Sequence, residues 1–440
     1  MNLKASLIAL TLISVICDTL VLPFYPQFFA ESFMIRDPQH VGYYVATCCV
    51  TVMLMFPVWA KVARYLNEVH IWVYTQVIAG ALGIACYLVT DLVSFWIVSQ
   101  LMLVFKASYL LIYPYVMRLE QQDTRINIAG LFAVLMHFGA IGGALIGGMI
   151  LDWVNARFLY LIMATGDVTQ VVICLYLIKR FAIPLFARDP VNTNTNTNTN
   201  TNTNSTIINP KESPSTMDMV STDASFFWRK LTQLNRMFHS LPVPGYVVQL
   251  GVISLLFYFS AFAIRPFLSS YWASISNWDS TLVAGLVYAI PGLVALLGLW
   301  ANYRFRDRLS SYHKIALAML WAIVGTLIQS ISIDWLMIIG RLIYGWGLFQ
   351  VMVTLEVLLF QLSKPSQFAR DYSQVHLFQN IGLIFASLMT GFTVAEFSLS
   401  WPFYLSAIVF VLTLLMFLMI NRRYFSKANN QSFTTQTESI

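Results

Sequence analysis

Long apolar stretches alternate with short polar ones along almost the whole chain. They fall at about 5–28, 41–60, 71–90, 93–117, 127–150 and 158–178. After a polar interval they resume at about 246–270, 281–302, 314–332, 335–361, 374–395 and 402–420. A bilayer core about 30 Å thick takes roughly 20 apolar residues per helix, so each stretch predicts one membrane span. A helix is the local way to pair backbone groups that have no water around them. Six stretches, an interval and six more predict an all-α integral membrane protein of duplicated design, built as two pseudo-symmetric six-helix bundles. The expected boundaries are a first bundle at 1–180, a linker at 181–242, a second bundle at 243–421 and a tail at 422–440.

The charges test this layout. The chain has 440 residues, of which 58% are hydrophobic and 10% charged, with mean hydropathy +0.68. A soluble domain carries about 25% charged residues, so these charges are too few to coat a soluble surface of this size. Cytoplasmic loops carry an excess of Lys and Arg. With the N-terminus placed in the cytoplasm, 21 of the 26 basic residues fall in inside segments. Only Arg36 and Arg157 fall outside, and Lys106, Arg265 and Arg341 remain in the spans. The expectation is therefore a multi-pass protein of the cytoplasmic or inner membrane with both termini cytoplasmic. The net charge of +6 is then a topology signal, and nucleic acid is not an expected partner.

Other features qualify the picture. The first stretch runs from Leu7 to Phe29 behind a lone Lys4. It is too long for a signal-peptide core and has no evident small-residue cleavage site, so it reads as the first span. The five cysteines, Cys17, Cys48, Cys49, Cys86 and Cys174, all lie in apolar runs without metal-type spacing and read as packing residues. No metal or other cofactor is expected. In the linker, an Asn-Thr alternation from Asn192 to Asn204 cannot bury apolar surface and predicts disorder. Phe226 to Phe238 has two readings, a basic amphipathic helix on the inner membrane surface or a plain lead-in to the seventh span.

Charges inside a bilayer cost about 2.5–3.5 kcal/mol each on insertion scales, which makes each one a candidate for function. The spans hold Asp18, Asp167, Glu356, Lys106, Arg265 and Arg341. Three acids and three bases permit neutral pairing. By helical rise, Asp18, Lys106 and Asp167 fall near mid-span, Arg265 and Arg341 in the outer part, and Glu356 toward the cytoplasmic end. Lys106, Tyr109 and Tyr113 share a helical face at i, i+3 and i+7. His137, in the fifth span, reads either as a proton relay or as a hydrogen-bonded packing histidine.

The halves repeat in detail. Val21-Leu22-Pro23-Phe24 parallels Ile264-Arg265-Pro266-Phe267, and Arg157-Phe158-Leu159-Tyr160-Leu161 parallels Trp401-Pro402-Phe403-Tyr404-Leu405. The fifth span carries Gly139, Gly143, Gly147 and Gly148 with Ala144 after the second, a spacing that lets helices approach closely. The tenth carries Gly340-Arg341-Leu342-Ile343-Tyr344-Gly345-Trp346-Gly347. On these residues the sequence resembles the major facilitator superfamily. The glycine run is similar to the fifth-helix motif of its proton-coupled exporters, with Ala144 in the place of a proline. Gly340 to Gly347 resembles the family's fourth-helix arginine-glycine motif, and Pro23-Phe24-Tyr25-Pro26 resembles a proline pair of its drug exporters. The loop after the second span, Pro57 to Arg64, keeps basic residues but lacks the family's aspartate and glycines, whereas YRFRDRL after the eighth keeps Asp307-Arg308.

The resemblance implies a central cavity lined by helices 1, 4, 7 and 10, which here carry Asp18, Lys106, Arg265, Arg341 and Glu356, and it puts Asp167 on a peripheral helix. For each charge two readings stand, a substrate or proton role or a structural pair. The implied function is secondary transport by alternating access, linked to protons, of a small organic solute that the three bases suggest is anionic or carboxylate-bearing. Asp18 is the expected titrating group, burial favouring its neutral form and Lys106 its charged form. Tyr25, Phe262 and Tyr344, with Tyr109 and Tyr113, either line the cavity or pack in the core. Export is favoured over import by proton symport, with a siderophore or organic-acid carrier among the alternatives. A non-transporting membrane sensor of the same fold is the reading from another class. The absence of nucleophile–base spacing or a phosphate-binding loop argues against an enzyme. Expected partners are the solute, a proton and the lipid bilayer, with the chain working as a monomer.

Overall fold

The computed structural model describes residues 3–119, 125–186, 244–278, 280–304, 310–363 and 368–422. The Asn-Thr tract, the segment from Phe226 to Phe238, Asp307-Arg308 and the tail past Arg422 lie outside the described residues. The described chain is almost wholly helical. Its helices are α1 (Leu3–Thr19), α2 (Tyr25–Phe33), α3 (Pro38–Val62), α4 (Glu68–Leu88), α5 (Leu92–Lys106), α6 (Ile112–Leu119), α7 (Arg125–Trp153) and α8 (Phe158–Phe181). After the interval come α9 (Gly245–Ala263), α10 (Leu268–Ile275), α11 (Thr281–Arg304), α12 (Ser311–Gln329), α13 (Asp334–Leu362), α14 (Phe368–Glu396) and α15 (Trp401–Ile420). Among the described residues eleven stretches are long and apolar enough to cross a membrane. In α7 the shorter apolar stretch Phe138–Trp153 stands where the fifth of the twelve expected spans was placed.

The repeated proline sequences become matching breaks. Leu22–Phe24 and Arg265–Phe267 are both single 3-10 turns, joining α1 to α2 and α9 to α10. Proline has no N–H and cannot continue the ladder of hydrogen bonds. Carbonyls near the second break are taken up by neighbours. Ser406 Oγ donates to Ser260 O at 2.8 Å, the Tyr344 hydroxyl to Ala261 O at 3.2 Å, and Thr390 Oγ1 to Ala263 O at 3.0 Å. A third break, the 3-10 turn Ala107–Leu111, separates α5 from α6. Around it Trp59 Nε1 donates to Val104 O at 2.7 Å and Trp72 Nε1 to Ser108 O at 3.1 Å. These side-chain donors do inside the bundle what water does elsewhere.

The described helices 3–186 and 245–420 form one compact unit. One core gathers the later helices around Phe257, Tyr344 and Phe410 and takes in Ala144 of α7. A second joins Phe28, Phe95 and Tyr160 to Phe262, Phe267 and Ala386 of the later helices. That joint core lies on the side away from the chain ends, where two close helix pairs also cross between halves. In the first, α3 meets α14, and a Cβ on Gly42 would stand 2.7 Å from Ser387 O and 3.0 Å from Gly391 Cα. In the second, α7 meets α11. There Asp152 caps the start of α11, accepting from Ser280 Oγ at 2.7 Å, Thr281 N at 2.6 Å and Leu282 N at 3.1 Å. Thr281 Oγ1 also donates to Gly148 O at 2.7 Å. A carboxylate at a helix N-terminus satisfies free N–H groups and the positive end of the helix dipole.

Candidate functional site

Three of the intramembrane charges meet. Lys106 closes α5 just before its 3-10 turn and is 4% exposed. Its Nζ lies 2.9 Å from Asp167 Oδ1 and 3.6 Å from Asp18 Oδ1. Asp167 is fully buried on α8, whereas the Asp18 side chain on α1 keeps 23% exposure. At 2.9 Å from Oδ1, the Lys106 ammonium is the close partner of this sealed carboxylate. Asp18 also pairs with the Tyr109 hydroxyl, which the 3-10 turn brings to it. One turn along the same two helices, Ser14 Oγ donates to Gln170 Oε1 at 2.6 Å and holds α1 against α8.

This triad has one base and two acids. With all three ionised it carries a net negative charge in a medium that penalises one heavily. It becomes neutral when one carboxyl holds a proton. Asp18 is the more accessible of the two.

Asp167 was expected at the periphery, and it is the tighter partner of Lys106. Helical spacing could not reveal this, because the contact is set by how α8 rotates against α5. Gly80 of α4 packs beside it, where a Cβ would make an ordinary contact with Asp167 Cβ at 3.5 Å.

The two arginines differ. Arg341 is 4% exposed and donates from Nε to Val287 O at 3.2 Å and from an η nitrogen to Tyr288 O at 2.8 Å. Pro291 stands inside α11, four residues after Val287, and cannot supply the N–H that the Val287 carbonyl would otherwise receive. Arg341 therefore fills the gap that a proline opens in a neighbouring helix. Its guanidinium also stands 5.5 Å from the centre of the Tyr344 ring. Arg265 carries no such load. It is half-buried, with its guanidinium over the Phe262 ring at 5.7 Å.

Glu356 on α13 is exposed and lines a cleft together with Ser254, Tyr258, Tyr372 and Gln379. Tyr258, Tyr372 and Gln379 escaped the sequence reading. Their available signal was spacing: Ser254 and Tyr258 lie at i, i+4 on α9, and Tyr372 and Gln379 at i, i+7 on α14. Tyr344 and Phe262 are packed in the two cores. Tyr25 meets Tyr44 edge to face at 5.1 Å. The side chain of His137 lies outside the described residues.

The glycine run faces two helices at once. A Cβ on Gly139 or Gly143 would strike Val15 or Thr19 of α1, one on Gly147 would meet Leu20 and Phe24, and one on Gly148 would meet Thr281 of α11. Gly285 of α11 faces Ala144 in the same way.

The fold is two sets of membrane-length helices joined on one side, with the Asp18–Lys106–Asp167 cluster inside the first set. The sequence profile of the Major Facilitator Superfamily matches residues 7–329 and 250–439, and the chain belongs to that superfamily. Solved structures share the fold. A D-to-A mutant of the nucleoside transporter NupG aligns with TM-score 0.68 at 13% identity, over 95% of this chain and 99% of that one. An auto-inhibited POT family peptide transporter aligns with TM-score 0.70 at 13% identity, over 96% of each chain. The family makes the chain a multi-pass membrane transporter and not an enzyme.

Proposed function

We propose that the chain is a proton-coupled secondary transporter that moves a small organic solute by alternating access. One observation carries this reading: a single buried lysine lies between two carboxylates, one sealed and one accessible. The sealed Asp167 holds Lys106 in place. The accessible Asp18 takes or releases the proton that neutralises the cluster. In the charged state Lys106 is drawn toward both carboxylates and binds α1 and α8 to α5. When Asp18 is protonated, Lys106 relaxes onto Asp167 and α1 is freed to move. The proton is thereby linked to helix packing and not only to charge.

Three bases favoured an anionic solute on sequence grounds. Two of them are engaged within the protein, Lys106 by carboxylates and Arg341 by carbonyls. Export as the direction rests on the likeness of the glycine run to that of exporters, and import by symport uses the same parts.

The test is Asp18→Asn in proteoliposomes, with internal pH and solute uptake recorded together. The expected result is loss of solute flux driven by a proton gradient, by at least tenfold, with solute exchange at equal pH retained. Unchanged proton-driven flux would remove Asp18 from the coupling step.

A further inference from the structure

Two acids stand near the inner ends of α9, α13 and α14, and their surroundings differ. Asp371, 1% exposed in the first turn of α14, accepts from the Tyr246 hydroxyl at 2.6 Å and from Ser363 Oγ. It laces the start of α9 and the end of α13 to α14. Glu356 forms no ion pair among the described residues. Spacing puts the two acids in successive layers. Tyr246, Leu250, Ser254 and Tyr258 follow one another by one turn along α9, as Glu356, Leu359 and Ser363 do along α13 and Asp371, Val375 and Gln379 along α14. Residues three and four apart share a helix face. The Asp371 knot is therefore the next layer below the cleft on all three of its helices, on the side of the chain ends.

The cleft has one charged side chain in its lining, and it is negative. No Lys, Arg or His lines it. An anion would meet Glu356 as a repelling ion with nothing beside it to offset the charge. A neutral solute would leave the carboxylate unmatched as water is driven out, a state that buried charges avoid by pairing. An ammonium meets both demands. It donates N–H groups to the carboxylate in a charge-assisted hydrogen bond. The hydroxyls of Ser254, Tyr258 and Tyr372 can accept others, and tyrosine rings attract cations. Leu250, Met352 and Leu355 supply the apolar part of the lining. We infer that the transported solute carries a cationic nitrogen, a primary ammonium on an apolar body, which seats against Glu356 in the cleft that Tyr258 and Tyr372 line.

This rests on the transport reading and deepens it by naming the solute class. It departs from the anionic solute that three bases suggested. Lys106 and Arg341 are engaged within the protein, and Arg265 does not line the cleft. The Asp371 knot also serves the site. A cation on Glu356 meets α9, α13 and α14 one layer from the point where their inner ends are already tied.

The test uses the full-length chain in nanodiscs, with the five native cysteines replaced and Met352→Cys as a reporter in the cleft lining. Labelling by a maleimide is timed at fixed neutral pH. The probe is phenethylamine, with phenethyl alcohol and hydrocinnamate as neutral and anionic controls of similar shape. Phenethylamine should protect the reporter at a concentration at least about tenfold below that of either control, the factor one hydrogen bond to a charged group supplies. Glu356→Gln should abolish that advantage. Equal protection by either control, or an advantage that survives Glu356→Gln, would overturn the inference. Unprotected labelling at the parent rate shows that the variant is folded. Should it not fold, the order of the three probes on the parent decides alone. Protection is read without a gradient, so the two readings separate. Cation-selective protection without proton-driven flux would sink the transport reading alone, and proton-driven flux without cation preference would sink this inference alone.

Discussion

Lys106 shows how one residue's role depends on its neighbours' burial. Removing a partner from a buried ion pair leaves an uncompensated charge and costs about 3–5 kcal/mol. Lys106→Met should therefore destabilise the protein by about that amount, because Asp167 is fully buried and has no alternative donor. Lys106→Met combined with Asp167→Leu should recover most of the loss, since replacing a whole buried pair by apolar groups is often neutral. Thermal unfolding in detergent checks both. Equal loss in the single and double variants would mean that Lys106 supports the fold through something other than charge. Sequence reading found all three members of this cluster as intramembrane charges. It could not order them, because pairing depends on side-chain direction across three helices.

At the scale of elements, the hydropathy pattern located the helices closely. The stretch expected at 41–60 is helix Pro38–Val62, that at 281–302 is Thr281–Arg304, and that at 402–420 is Trp401–Ile420. The matched proline sequences pointed to equivalent places in the two halves, and both are 3-10 breaks. The break after Lys106 was not legible, and it changes what the side chains beyond it face. Tyr109 reaches Asp18 from within that turn. The pairing of Pro291 with Arg341 was also hidden, since it joins α11 to α13. Arg341→Met should cost about 1–3 kcal/mol, the usual penalty for stranding a buried polar group. Adding Pro291→Ala restores an N–H for the Val287 carbonyl and should return part of that stability. Thermal unfolding of the single and double variants measures this, and a purely additive loss would contradict the account.

At the scale of the whole molecule, the two sets of helices are held on the side away from the chain ends by two contacts of different chemistry. One is the Gly42–Gly391 approach, close enough that a larger side chain would force α3 from α14. The other is Asp152 on the start of α11. In the proposed alternating access both would part. Gly42→Val should hold that side open and slow turnover on the order of tenfold, detected as new labelling of a cysteine at Phe29, which is buried in the joint core. Unchanged labelling would show that the glycine pair does not set the closure.

In the proposed mechanism the halves rock as the cluster inside the first half takes up or releases a proton. The most direct measurement is the distance between spin labels at Met34→Cys and Trp278→Cys, both exposed on the side away from the chain ends, with the five native cysteines replaced. The account predicts one short distance in alkaline buffer and a second, longer population when Asp18→Asn mimics the protonated cluster. A single distance that ignores both the buffer and the substitution would contradict it.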